Sequence, residues 1–261
     1  MRRLFLNVLC VLWLFTSVSL SFGGINFDKI DDIVTLTNGI DITQWTISVW
    51  IYPVSTGEGT AGRIYHGGTT SNPKFSIFTN NALDFFCIFS GDDGEWTTNV
   101  NALTLNIWQH AAMTWAGTNA TDPIFYVSGS VVNSTETLIP TLVRESLVGG
   151  GFIGNRGTTA ATWEGQIAEI AIWNVILTPT EIAQLANSKI KGMPLQIRPA
   201  NLKGYWPMDD QPAGTSADGD TVRDLSGNGN NGTGNDGANN TGLAWTAESI
   251  LSYPAPILGG Q

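Results

Sequence analysis

The chain has 261 residues, a net charge of −10, 42% hydrophobic residues and only 13% charged ones, about half the roughly 25% charged share of an ordinary soluble domain. That is enough apolar material for a substantial core, and the acidic balance disfavours nucleic acid and anionic lipid as partners, because both are negatively charged. Thirty Gly, eleven Pro and ten Trp, with few of the Glu, Lys and Arg residues that fill exposed helix faces, point to short strands joined by tight turns.

Residues 1–21 open with Arg2 and Arg3, continue through an apolar stretch from Leu4 to Leu20 and carry Ser17, Ser19 and Ser21 near the end. A basic start, an apolar middle and small residues at the cut make the pattern of a secretory signal peptide. An uncleaved anchor or a buried first strand are the alternatives, but Asn7, Thr16, Ser17 and Ser19 weaken a span that needs ~20 mostly apolar residues. No second apolar run follows, so the expectation is a secreted or cell-surface protein without membrane insertion after cleavage. Cys10 falls in the leader and leaves Cys87 alone, so no internal disulfide is expected.

Short apolar or alternating runs then follow at sandwich spacing. Strands are predicted at Ile25 to Asp28, Ile33 to Leu36 and Thr46 to Pro53, the last with Ile47, Val49 and Ile51 on one face and Ser48, Trp50 and Tyr52 on the other. This alternation predicts a half-buried antiparallel strand. Further strands are predicted at Gly62 to His66, Lys74 to Thr79, Leu83 to Phe89, Trp96 to Val100, Trp108 to Trp115, Ile124 to Val127, Gly150 to Gly154 and Glu164 to Asn174. Thr178, Pro179 and Glu181 form a capping box with a first-turn proline, which predicts one short helix over 178–188. Tyr205 to Met208 reads as one more strand, whereas Ser226 to Gly242 holds six Gly and six Asn. A backbone that permissive predicts a long surface loop over 226–242.

In order along the chain, Phe27 to Val34, Thr46 to Pro53, Trp108 to Trp115, Ile124 to Gly129, Phe152 to Asn155 and Trp163 to Asn174 resemble the laminin-G-like jelly rolls of the concanavalin A-like lectin and glucanase superfamily, in particular the pentraxin-related group. The resemblance covers roughly residues 25 to 190 and implies an all-β, two-sheet antiparallel jelly-roll sandwich. Tyr205 to Asp210 followed by Thr221 to Thr233 looks like the segment that usually opens such a domain, yet it comes last. The expected organisation is a signal peptide at 1–21, a jelly roll at 22–190 and a C-terminal segment at 191–261 that completes the same sandwich. The alternative is the start of a second domain.

The superfamily includes glucanases, and retaining glycosidases need two carboxylates ~5 Å apart. Glu169 shares its strand face with Ala171 and Trp173, so the second acid is missing there and no catalytic residue is expected. His66 and His110 have no ligand-spaced partner, which leaves zinc without a site. Calcium is the plausible ion, since Asp28, Asp31 and Asp32 cluster near the start and the resemblance implies a calcium held by oxygen ligands; Asp28, Asp32 and Glu169 are the expected metal ligands, with solvated turn acids as the alternative. A second candidate, starting at Asp224, Ser226 and Asn228, lacks the bidentate acid at its twelfth position, which is Asn235. Sugar recognition needs an exposed aromatic platform with polar neighbours, and the candidates are Trp96 with Asp93, and Trp163 with Asn155 and Arg156. The competing expectation is that these rings cap the sandwich ends. The functional expectation is a non-catalytic binding module for carbohydrate or protein ligands; the alternatives are a structural or receptor-binding protein of a virus or extracellular assembly, and a glycoside hydrolase.

Overall fold

A computed structural model describes residues 23–68, 73–89, 92–142, 149–157, 160–187, 192–238 and 242–246; the predicted leader lies outside them. Strands β1 (Ile25–Asp28), β2 (Ile33–Leu36), β3 (Trp45–Pro53), β4 (Arg63–Gly67), β5 (Lys74–Phe78), β6 (Ala82–Phe89), β7 (Asp92–Thr98), β8 (Gln109–Trp115), β9 (Ile124–Val127), β10 (Ser130–Val132), β11 (Ser134–Leu138), β12 (Gly151–Ile153) and β13 (Glu164–Trp173) precede helix α1 (Pro179–Asn187). After it come β14 (Leu202–Trp206), β15 (Thr221–Val222), β16 (Gly232–Asn235) and β17 (Ala244–Trp245).

They form two antiparallel sheets, a jelly-roll sandwich with one helix. Sheet one runs β10-β9-β8-β3-β13-β1-β17, with β14 also on β13; sheet two runs β11-β7-β6-β5-β4-β12-β2-β16-β15. Every second residue of each strand points between the sheets, so Ile47, Val49 and Ile51 of β3 meet Tyr65, Phe75 and Phe85 of sheet two in one core. Large rings fill the gap. Trp96, Phe85 and Trp115 sit with centroids 5.3 to 6.0 Å apart, within the range where offset or tilted ring pairs attract.

The alternation of β3 predicts a half-buried strand, yet only Tyr52 is partly exposed among its nine residues. The reason is a second layer on the outside of sheet one. Ile182 and Leu185 of α1, with Leu177, Ile197 and Leu202, pack against Ala112, Tyr126, Ala171, Trp173 and Tyr205. The helix starts as its capping box dictates: the Thr178 amide donates to the Glu181 carboxylate at 2.8 Å, and the Glu181 amide donates to Thr178 Oγ1 at 3.3 Å.

The predicted surface loop at 226–242 is corrected by the structure. Part of it is β16, which pairs residue for residue with β2 from Gly232↔Leu36 to Asn235↔Ile33. Glycine is what permits this close approach, because a Cβ at Gly234 would lie 2.1 Å from the Ala217 carbonyl oxygen. β14 adds to β13 and β17 adds to β1, so the last described residues supply strands to both sheets.

Candidate functional site

The turn that carries the chain from β1 in sheet one to β2 in sheet two brings three carboxylates together. β1 ends at Asp28, Lys29 turns the chain with φ 74°, and the chain enters sheet two at Ile33. Within the turn the Asp28 amide donates to Asp32 Oδ2 at 2.7 Å and the Ile30 amide donates to Asp28 Oδ1 at 2.8 Å. One carboxylate oxygen from each of Asp28, Asp31 and Asp32 lies within 4.8 Å of the others.

The C-terminal segment closes over this turn. The Ala238 amide donates to Asp31 Oδ2 at 2.7 Å. Gly237 has φ 59°, and a Cβ there would lie 2.2 Å from the Asp31 carboxyl carbon, while one at Gly242 would lie 2.4 Å from that of Asp28. The chain therefore presses on two of the three acids at positions where a side chain has no room. Asp236, 3% exposed, joins them from the same segment; its Oδ1 accepts from the Gly242 and Leu243 amides at 3.0 and 3.3 Å.

The charge is only partly answered. Among the described residues, Asp31 Oδ1 and Asp32 Oδ1 are buried without a hydrogen-bond donor, and Asp32 is fully buried. Burial, together with the facing Asp236 carboxyl and the charge of Asp28, pushes the Asp32 carboxyl up to about 8. Two buried carboxyls face each other here, and such a pair needs a proton or a cation between them. A hard divalent cation matches the oxygen-only donor set and the orphaned oxygens.

Other expected site residues are placed elsewhere. Asp28 pairs across the sheet with Glu164, five residues from Glu169, so Glu169 is roughly 16 Å from the cluster at about 3.3 Å per residue. Its carboxylate instead accepts from the Tyr205 hydroxyl at 2.8 Å and the Gly192 amide at 3.1 Å. Glu169 is therefore not a ligand with Asp28 and Asp32. It lines a cavity of about 10 Å³ with Ser48, Trp50, Leu185, Met193 and Pro194, none of them a second carboxylate. Nearby, Ser48 Oγ and His110 Nε2 are 2.8 Å apart, both buried.

The aromatic platforms are also corrected. Trp96 and Trp163 are 1% and 0% exposed, so neither can offer a face to a sugar. Trp96 points between the sheets and its indole N–H donates to Asp122 at 2.9 Å. Asn155 is a buried clip, donating to the Asp32 carbonyl at 3.1 Å and Thr162 Oγ1 at 2.6 Å and accepting from the Arg156 and Ala161 amides. Asp93 is exposed on β7, four strand positions from β12 and so about 19 Å from the Arg156 side of the sheet. The Asp224 loop is no cation cradle either: Oδ1 accepts from the Tyr205 and Ser226 amides and Oδ2 from Asn230, each at 2.9 Å.

The sequence reading missed Asp236. Its only local signal is an Asp-Gly pair inside a Gly/Asn-rich run, which marks a turn and says nothing of what the turn touches.

A family profile, the concanavalin A-like lectin/glucanases superfamily, matches residues 28–183. That is more than half of the chain, which therefore belongs to this superfamily. Among solved structures, the chain is similar to a Bacteroides ovatus protein described as a candidate carbohydrate binding protein, at 18% identity and TM-score 0.56, covering 83% of this chain and 59% of that one. A heptameric SAP-like pentraxin from Limulus polyphemus matches at 15% identity and TM-score 0.49, covering 66% of this chain and 84% of that one. Laminin α1 domains LG4-5 from mouse match at 11% and TM-score 0.44, over 58% and 41%. No curated protein sequence matches the chain. Among the described residues no helix is long and apolar enough to cross a membrane.

Proposed function

We propose that the chain is an exported, non-catalytic binding module that holds calcium between its β1–β2 turn and its C-terminal segment and binds a carbohydrate ligand outside the cell. The observation that carries this reading is the orphaned pair of buried oxygens, Asp31 Oδ1 and Asp32 Oδ1, in a cluster with Asp28. Asp28, Asp31 and Asp32 would hold the ion with Asp236 as the contribution of the C-terminal segment. Bound there, calcium would neutralise the cluster and tie the β1–β2 turn to the C-terminal segment. Superfamily membership and the Bacteroides ovatus neighbour support carbohydrate as the ligand class, and the basic-apolar-small pattern of residues 1–21 supports export.

Calorimetry and thermal melting with calcium test the ion, and a glycan array with calcium or chelator tests the ligand. At calcium about 100-fold above its Kd the melting temperature should rise by roughly 5 °C or more, and Asp32→Asn should abolish the rise. No heat and no melting shift in the wild-type chain would remove the calcium reading. An array without any specific glycan would remove the carbohydrate one.

A further inference from the structure

The outer face of sheet two carries charges that the calcium cluster does not use. Strand register lays them out in two rows. One row runs Phe152, His66, Lys74, Phe86, Glu95 across β12, β4, β5, β6 and β7; the other runs Arg63, Ser76, Asp84, Thr97 across β4 to β7. Basic groups occupy the β4 and β5 end and acids the β6 and β7 end. Arg156 follows β12 and adds a cation on the basic side.

Among the described residues this basic end is short of acceptors. Arg63 and His66 are 6% and 5% exposed. Arg63 Nη1 donates to the Ala61 carbonyl at 2.6 Å, but Arg63 Nε, Arg156 Nε and both ring nitrogens of His66 are buried without a hydrogen-bond partner among the described residues. Leaving a guanidinium N–H buried and unmet costs more than an ordinary lost hydrogen bond. The countercharges stand off: Asp84 is two strands from Arg63, about 10 Å, and its oxygens are engaged by Thr97 at 3.1 Å and Ser76 at 3.3 Å. Lys74 lies over the Phe86 ring with its ammonium 3.9 Å from the centroid. The groups sense one another, since Arg63, Lys74 and Arg156 all depress His66, after burial itself.

We propose that Arg63, His66 and Arg156, with Lys74 alongside, form an oxyanion subsite for the carboxylate or sulfate of an acidic sugar. The two guanidinium N–H groups supply charge-assisted donors suited to a planar or tetrahedral oxyanion. The neutral imidazole of His66 adds one more donor. Part-exposed Arg156 and Lys74 give the approach, and buried Arg63 and His66 form the floor. The acidic-sugar assignment rests on the carbohydrate reading above, whereas the oxyanion assignment does not need calcium.

The test titrates the full chain, in calcium and in chelator, with glucuronic acid, glucose, glucose 6-sulfate and inorganic sulfate, following the arginine Nε–H and histidine ring signals by NMR. Glucuronic acid or glucose 6-sulfate should shift the signals of Arg63, Arg156 and His66 and bind at least ~10-fold more tightly than glucose, with or without calcium. Arg156→Gln, at a half-buried position that leaves the core intact, should remove that preference while the calcium melting response stays. Glucuronic acid and glucose 6-sulfate binding no better than glucose, or an Arg156→Gln chain that keeps the preference, overturns the proposal. Inorganic sulfate binding without either acidic sugar overturns the acidic-sugar assignment.

Discussion

Two aspartate turns in the C-terminal third are built from the same kinds of residue and end up with opposite chemistry. Asp224 is surrounded by amides, three of which donate to its two oxygens. Asp236 takes two amides on one oxygen and faces the Asp32 carboxyl with the other side of the cluster. A carboxylate already met by N–H donors organises a turn and repels nothing. One that meets other carboxylates has a negative potential left over, and only that kind of site attracts a cation. Counting acids therefore cannot separate the two; their neighbours do.

Removing Asp224 should produce the largest effect. Asp224→Ala leaves three amides without their acceptor, so stability should fall by about 3 kcal/mol, with the calcium response of the surviving fold unchanged in a denaturant titration. A variant that loses calcium binding at full stability would erase the contrast between the two turns.

Gly237→Ala comes next. An alanine must hold a positive φ and push against Asp31, which should cost about 2 kcal/mol, and it should weaken calcium binding measured by calorimetry because the cluster is displaced. Unchanged affinity would place the C-terminal segment outside the site.

The smallest effect carries the same logic to a basic group. Burial, with Arg63, Lys74 and Arg156 nearby, depresses His66 to about 4, against about 6.5 in an unfolded chain. Between those values the unfolded chain binds the extra proton, so the stability gained from a neutral His66 is present above pH 6.5 and is lost as pH falls toward 4. Asp84, raised to about 6 mainly by burial, works in the opposite sense and loses stability as pH rises from about 4 to 6. Melting curves from pH 7 to 4.5 should show wild type losing ground to His66→Gln as the solution is acidified. A constant difference would mean that His66 stays accessible to protons.

Much of the fold is legible in local sequence patterns. The alternation in β3 and the capping box at Thr178 follow from a period of two and from orphan amides, both local properties. The edge strands β10 and β11 escaped, since their five exposed residues leave no apolar alternation. So did β16, whose Gly-Thr-Gly-Asn sequence has no strand propensity and pairs only because β2 offers it an edge. Of the expected metal ligands, Asp28 and Asp32 fall together because they lie only four positions apart in one turn, whereas Glu169 is joined to them by expectation alone. Trp96 and Trp163 misled because an indole suits a sugar platform and a sandwich core equally well.

What the sequence determined by itself was the sandwich, its helix and the three aspartates of one turn, because each depends on residues that are neighbours in the chain. What only the tertiary structure decided was which ends meet. Asp236 reaches Asp32 across more than 200 residues, and Arg156 comes to lie beside Arg63 and His66, through strand pairings that no local pattern encodes. Burial then turns those meetings into unmet charge, and unmet charge is what makes a surface select a ligand.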